Sequence, residues 1–200
     1  MSGHERRTQL IEVAIDLFSR KGFRGTTTRE IAAAAGVTEA IIFRHFATKQ
    51  DLYTAILDFK ESSNGLEAWS QAADSAMDRK DDEALFGLIV THVLEAHRNE
   101  PRFERLMMHA ALEGHELAAM HHRKMTVGIG ARLTDYIERR QKEGALMGCN
   151  PKALLFAVAG IGYMYALHKY MYQLESEGPG DEQMIEDYVR ILMNGLTLKQ

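Results

Sequence analysis

Residues 26–53 read TTTREIAAAAGVTEAIIFRHFATKQDLY. Thr27 followed three positions later by Glu30 has the form of a capping box, which predicts a helix over about 28–35. Ile31 is its main apolar residue, and the alanines that follow let another helix approach closely. Gly36 ends it, and Thr38 stands where a side-chain cap would start the next helix at once. The turn between them is about three residues long. Two short helices joined that tightly must cross steeply, which is helix-turn-helix geometry.

The second of these helices carries apolar and cationic residues side by side. On a wheel of about 100° per residue with Ile42 inward, Thr38 and Phe46 fall within about 40° of the inner line. Ala40 and Arg44 fall about 160° away, Ile41 and Phe43 sit on the flanks, and His45 is about 60° off. The outer face is therefore small at one turn and cationic at the next. Ala40 lets the helix approach a wall closely, and Arg44 suits a phosphate or a guanine edge. Lys49, expected in the first turn of a following helix, adds its charge and free backbone N–H groups for a phosphate.

Outward from this block the chain reads as helix after helix. Leu10, Ile11, Ala14, Leu17 and Phe18 give one apolar stripe to a first helix from Arg6 to Lys21, stopped by Gly22. Thr48 caps a fourth helix through Leu52, Ala55, Ile56 and Phe59. Beyond Ser62–Gly65 larger helices are expected over about 83–98, from Pro101, then a long one to about Glu143. After a loop at 144–150, Pro151 opens an apolar helix to about Glu175, and after a second loop at 177–181 a last helix runs to about 198. The fold class is all-α, about nine helices in all: an N-terminal three-helix helix-turn-helix domain (residues 1–48, the motif itself at about 27–46) and a larger helical bundle (49–200).

Bulk composition agrees. The 200 residues are 46% apolar and 26% charged, with three prolines, and β-branched alternation is nearly absent. The net charge of −4 hides a split: residues 1–60 carry +2 and the remainder −6. A modestly basic N-terminal unit sits on an acidic body. The lone Cys149 excludes an internal disulfide and suits a reducing cytoplasm. The N-terminus has no apolar targeting segment, and the longest apolar run (153–167) is short of the roughly 20 residues of a membrane span, so no membrane partner is expected.

The block 26–53, preceded by a helix ending in Lys21-Gly22-Phe23, resembles the TetR family of transcriptional regulators (TetR/AcrR type). The resemblance is carried by T-T-x-x-I-A-x-x-A-G-V, then aromatic-x-H-F, then K-x-x-L-Y, over residues 6–59. It implies that Thr28 and Arg29 touch DNA backbone phosphates, that Thr38, Glu39, Ala40 and Arg44 face the groove, and that Phe43, His45 and Lys49 hold the flanks. Phe43 departs from the family's usual Tyr, so a phosphate-binding hydroxyl is missing there. Glu39 is also unusual on such a face: it either accepts from a cytosine N4 or only complements the positive helix end.

The resemblance further implies a ligand-binding, dimerising C-terminal part. Phe103, Met107, Met125, Tyr136, Tyr165 and His168 are the candidate pocket residues, soft and aromatic side chains that equally serve as ordinary core filling. The helix from Pro151 is apolar almost all round and needs cover on two sides, from its own core and from a second copy. Leu155, Val158 and Gly162 on it, with Val189, Leu192 and Leu196 on the last helix, are the candidate homodimer interface. The expected partners are a near-palindromic double-stranded DNA operator, a small lipophilic effector and a second copy, acting as a repressor. Activation, or response to a partner protein, is the alternative.

Other classes find little support. No Gly-rich phosphate loop, nucleophile elbow or cofactor motif occurs, so neither an enzyme nor a cofactor is expected. His109, His115, His121 and His122 are spaced poorly for one helix face, so no metal site is expected. A helical adaptor without DNA affinity is a distant third reading.

Overall fold

A computed structural model describes residues 1–63, 65–174 and 179–196, with the side chains of 61–63, 125–126 and 196 outside what is described. Among the described residues there are eleven α-helical segments and no strand. They are α1 (Gly3–Lys21), α2 (Thr28–Ala34), α3 (Glu39–His45), α4 (Lys49–Ser63), α5 (Leu66–Asp78), α6 (Asp82–Asn99), α7 (Pro101–Leu112), α8 (Glu116–Met125), α9 (Ala131–Lys142), α10 (Pro151–Ala166) and α11 (Asp181–Leu196). No helix among them is long and apolar enough to cross a membrane.

The chain packs as two compact units, residues 1–66 with 102–124, and 67–101 with 125–200. In the first, Leu10, Ile11, Ala14 and Phe18 of α1 meet Ile31, Ile42, Phe46, Leu52, Tyr53 and Ile56, and the same core takes in Phe103, Leu106, Ala110 and Leu117. Helix α4 thus shares a core with the first three helices, although the sequence reading grouped it with the bundle beyond residue 48. In the second unit, Leu85, Phe86, Ile89 and Val90 of α6 form the centre. Leu133, Tyr136, Ile137, Leu154, Val158 and Leu192 pack around them.

Starts and stops follow local chemistry. Ser2 with Glu5 and Thr27 with Glu30 form capping boxes, and Thr48 with Asp51 exchanges the same pair of bonds at α4 (2.9 and 3.0 Å). Asn150 caps α10 through its side chain, with Pro151 at the first helical position.

Three expectations need correction. Helix α5 (Leu66–Asp78) has no counterpart among the expected helices. The long helix expected to follow the one from Pro101 and reach Glu143 is instead α8 and α9, with a π-helical turn, Thr126–Gly130, between them, where β-branched residues and two glycines weaken α-helix. Finally, α10 passes into a second π turn, Leu167–Met171, and the helix ends there rather than at Glu175. Gln173 has a positive φ (54°), and the expected loop at 177–181 falls partly outside the described residues.

Candidate nucleic-acid interface

Helices α2 and α3 are held as a pair by backbone chemistry in their turn. Gly36 takes φ 67°, which an L side chain would resist, and Val37 N–H returns to the Ala32 carbonyl at 3.0 Å. The Gln9 side-chain amide donates to the Ala35 carbonyl (3.3 Å), tying α1 to the end of α2.

The inner face of α3 is as its periodicity predicts. Ile42 is fully buried and Phe46 nearly so. Truncating Ile42 would cost roughly 2–5 kcal/mol. Ala40, Phe43 and Arg44 point away from that core and are exposed, Phe43 at 48%. Ile41 and His45 are half-buried at the edges, the His45 ring 6.4 Å from that of Phe46.

Thr38 differs from its wheel position. It is the N-cap, its backbone is extended (ψ 154°), and its side chain is exposed without a capping bond. The extended backbone takes it off the helical wheel, so it lies with the exposed set rather than the inner one.

Two predicted contact residues are bound to each other: the Thr28 hydroxyl donates to the Glu39 carboxylate. Glu39 is thereby fixed at the start of α3, with Thr28 at the start of α2. Nothing in the sequence spacing, eleven residues apart, pointed to this bond. It requires the steep crossing of the two helices.

Lys49 is engaged within its own unit. It opens α4 as expected, but its ammonium turns inward, donating to the Phe23 carbonyl and sitting 4.0 Å from the Phe23 ring centroid. Burial lowers its pKa. The charge that the sequence assigns to a phosphate is used inside the domain, because the aromatic cluster of Phe18, Phe23 and Tyr53 offers a cation–π seat.

The other cations sort into two groups. Arg20 pairs with Asp16 (2.9 Å) and Lys21 with Glu30 (2.7 Å). The Lys21 hydrogen bond, followed by the Thr27 backbone and side chain, holds Glu30 at a pKa of about 2. Arg29 and Arg44 are exposed and have no carboxylate partner among the described residues. Neither has an acidic residue three or four positions away to neutralise it along its own helix.

The candidate pocket residues divide between the two units. Phe103 is buried in the first unit's core, with Met107 packed against it. In the second unit Tyr136 is 1% exposed and its hydroxyl donates to Asp82 (2.6 Å). Tyr165 donates to Asp181 (3.1 Å), His168 is exposed beside Tyr172, and the Met125 side chain lies outside the described residues. An open groove of ≈ 660 Å³ lies along Thr134, Glu138, Gln141, Cys149, Asn150 and Lys152, and none of the candidates lines it.

The candidate interface residues are also misplaced. Val158, Gly162, Val189 and Leu192 are buried within one protomer, Leu155 is half-buried, and Leu196 has its side chain outside the described residues. A Cβ on Gly162 would lie 3.2 Å from both Val90 Cγ1 and the Val90 carbonyl, so this glycine serves contact with α6. The apolar residues left uncovered on α10 are Phe156, Tyr163 and Met164, with Ile191 on α11.

Residues 10–56 match the family described as "Bacterial regulatory proteins, tetR family". The HTH-type transcriptional regulator AcrR of Shigella flexneri is 40% identical over 105 residues, which is 52% of this chain and 46% of that protein. The chain spans less than half the length of the curated relatives it matches first. Among solved structures, AibR in complex with isovaleryl coenzyme A and operator DNA superposes with TM-score 0.64 at 20% identity, covering 94% of this chain and 98% of that one. The ketosteroid transcriptional regulator KstR2 of Mycobacterium tuberculosis gives TM-score 0.60 at 18% identity, covering 97% and 96%. These two show a shared all-α fold over nearly the whole length. With a tight α2–α3 turn, a buried Ile42–Phe46 face and an exposed Ala40–Phe43–Arg44 face, residues 10–56 are similar to the helix-turn-helix part of the tetR family of bacterial regulatory proteins.

Proposed function

We propose that the chain is a sequence-specific DNA-binding transcriptional regulator: a cytoplasmic homodimeric repressor, released from a near-palindromic operator by a small lipophilic ligand. The observation that carries this reading is α3. Its outer face presents Ala40, Phe43 and an unneutralised Arg44, and Arg29 adds a second unneutralised cation from α2. Exposed cations without partners on a steeply crossed helix pair suit a major groove and its flanking phosphates. Thr28, Thr38 and His45 complete the surface, with Glu39 held by Thr28.

The dimer is supported by the uncovered apolar residues of α10 and α11. Phe156 is 67% exposed and Ile191 59%. Two copies joined there would present two recognition helices to one operator. AibR, solved with both an acyl coenzyme A and operator DNA, supports reading an effector for this chain as well. For release, the ligand must favour a DNA-incompetent conformation by a few kcal/mol.

The test is an electrophoretic shift with the DNA upstream of the chain's own gene. Specific binding at low salt, lost in Arg44→Ala with the dimer intact by sedimentation, supports the reading. Absence of any specific shift refutes it.

A further inference from the structure

Arg7 lies outside the stretch that matches the family and outside the contact set read from the sequence. It stands in the second turn of α1, exposed, with its guanidinium carbon 4.9 Å from the centroid of the Phe46 ring. Phe46 is the residue that closes α3, two positions after Arg44. Arg7 is therefore anchored at the C-terminal end of the recognition helix. The neighbouring Arg6 guanidinium donates to Gln9, and Gln9 in turn holds the Ala35 carbonyl (2.6 and 3.3 Å), so this turn of α1 is fixed to the α2–α3 pair.

The charge on Arg7 is unneutralised in the same way as those of Arg29 and Arg44. Residues 3, 4, 10 and 11, its helical neighbours, are Gly, His, Leu and Ile, and no carboxylate pairs with it among the described residues. Arg20, at the other end of the same helix, is paired with Asp16 and favoured by the dipole.

We propose that Arg7 is a phosphate-contacting residue, which sets the DNA backbone against the C-terminal end of α3. This rests on the DNA-binding reading above. Phe46 seats the guanidinium by a cation–π contact, so less side-chain freedom is lost when a phosphate oxygen is bound.

The experiment measures binding of the full chain to a short random-sequence DNA duplex by fluorescence anisotropy across a salt series. Arg7→Gln should make the plot of log K against log salt shallower by about 0.9 per protomer, equivalent to roughly eight-fold weaker binding at 0.1 M salt. Arg7→Lys should retain the wild-type slope, because a point charge suffices for a phosphate. Arg20→Gln removes the same charge elsewhere on α1 and should also retain it. A purely structural role would instead appear as a lowered melting temperature in Arg7→Gln and Arg7→Lys alike, with no change of slope. An unchanged slope in Arg7→Gln, or an equal change in Arg20→Gln, overturns this inference while leaving the DNA reading standing. A wild-type chain that fails to bind the duplex at all overturns both.

Discussion

Replacing Asp82 by Ala tests the polar network at the centre of the second unit. Asp82 is 8% exposed and opens α6. Its carboxylate accepts from the Tyr136 hydroxyl at 2.6 Å, from Arg140 Nε at 3.0 Å and from Arg140 Nη2 at 2.9 Å. Arg140 also reaches Glu143, which pairs with Lys80 at 2.9 Å. The Asp82 hydrogen bonds are the main reason that the Arg140 pKa is raised further. Breaking a buried pair from one side costs roughly 3–5 kcal/mol, because the remaining charge stays buried. Here Arg140 keeps Glu143 and is 13% exposed, which argues for the low end of that range. The stranded Tyr136 hydroxyl adds about 1–3 kcal/mol. A net loss of roughly 4–6 kcal/mol corresponds to about 8–24 °C in melting temperature for a chain of this size. Tyr136→Phe removes the hydroxyl but leaves the ion pair, and should cost only about 1 kcal/mol. Circular-dichroism melts of both variants and of the double variant, at one protein concentration, give the coupling directly. A drop of under about 2 °C for Asp82→Ala, or equal losses for the two single variants, would refute the assignment of the network as a stabilising centre.

Two further outcomes follow from the first unit. Glu39→Gln removes a negative charge from the surface proposed to face DNA and weakens the hold on the Thr28 hydroxyl. Duplex affinity should rise about five-fold at any sequence, on an estimate of about 1 kcal/mol per unit charge at 4 Å in water; unchanged or weaker binding in an anisotropy titration would show that Glu39 makes a favourable contact instead. Glu30 has its pKa lowered to about 2 from 4.5, chiefly by Lys21. Its contribution to stability is therefore present above about pH 4.5 and is lost as the pH falls toward 2. Urea midpoints between those limits should fall less steeply in Glu30→Gln than in wild type; parallel curves would contradict the linkage.

The helix-turn-helix was legible because each of its steps is local. A capping box at Thr27–Glu30, a glycine at a positive-φ turn, and an apolar pair at Ile42 and Phe46 each rest on residues a few positions apart. The Thr28–Glu39 bond and the inward turn of Lys49 depend on where one helix crosses another, and spacing carries no information about that. Arg7 left a local trace: no acidic residue lies three or four positions away. Its place beside Phe46 is again a tertiary fact.

The interface residues show the same limit from the other side. Helix α10 is apolar almost all round, so periodicity predicts two covered faces but does not say which one turns inward. The choice is made by α6. A Cβ at position 162 would crowd Val90 at 3.2 Å, so the glycine favours this close approach, and Val158 and Leu154 turn into the core with it. Phe156, Tyr163 and Met164 are what remains on the far side. The sequence argument for a partner survives, because the uncovered residues are still large and apolar. Its residues move by a turn of the helix wheel. Gly162 then reports on the protomer and Phe156 on whatever covers it: a change at the first should lower stability, and a change at the second should alter association.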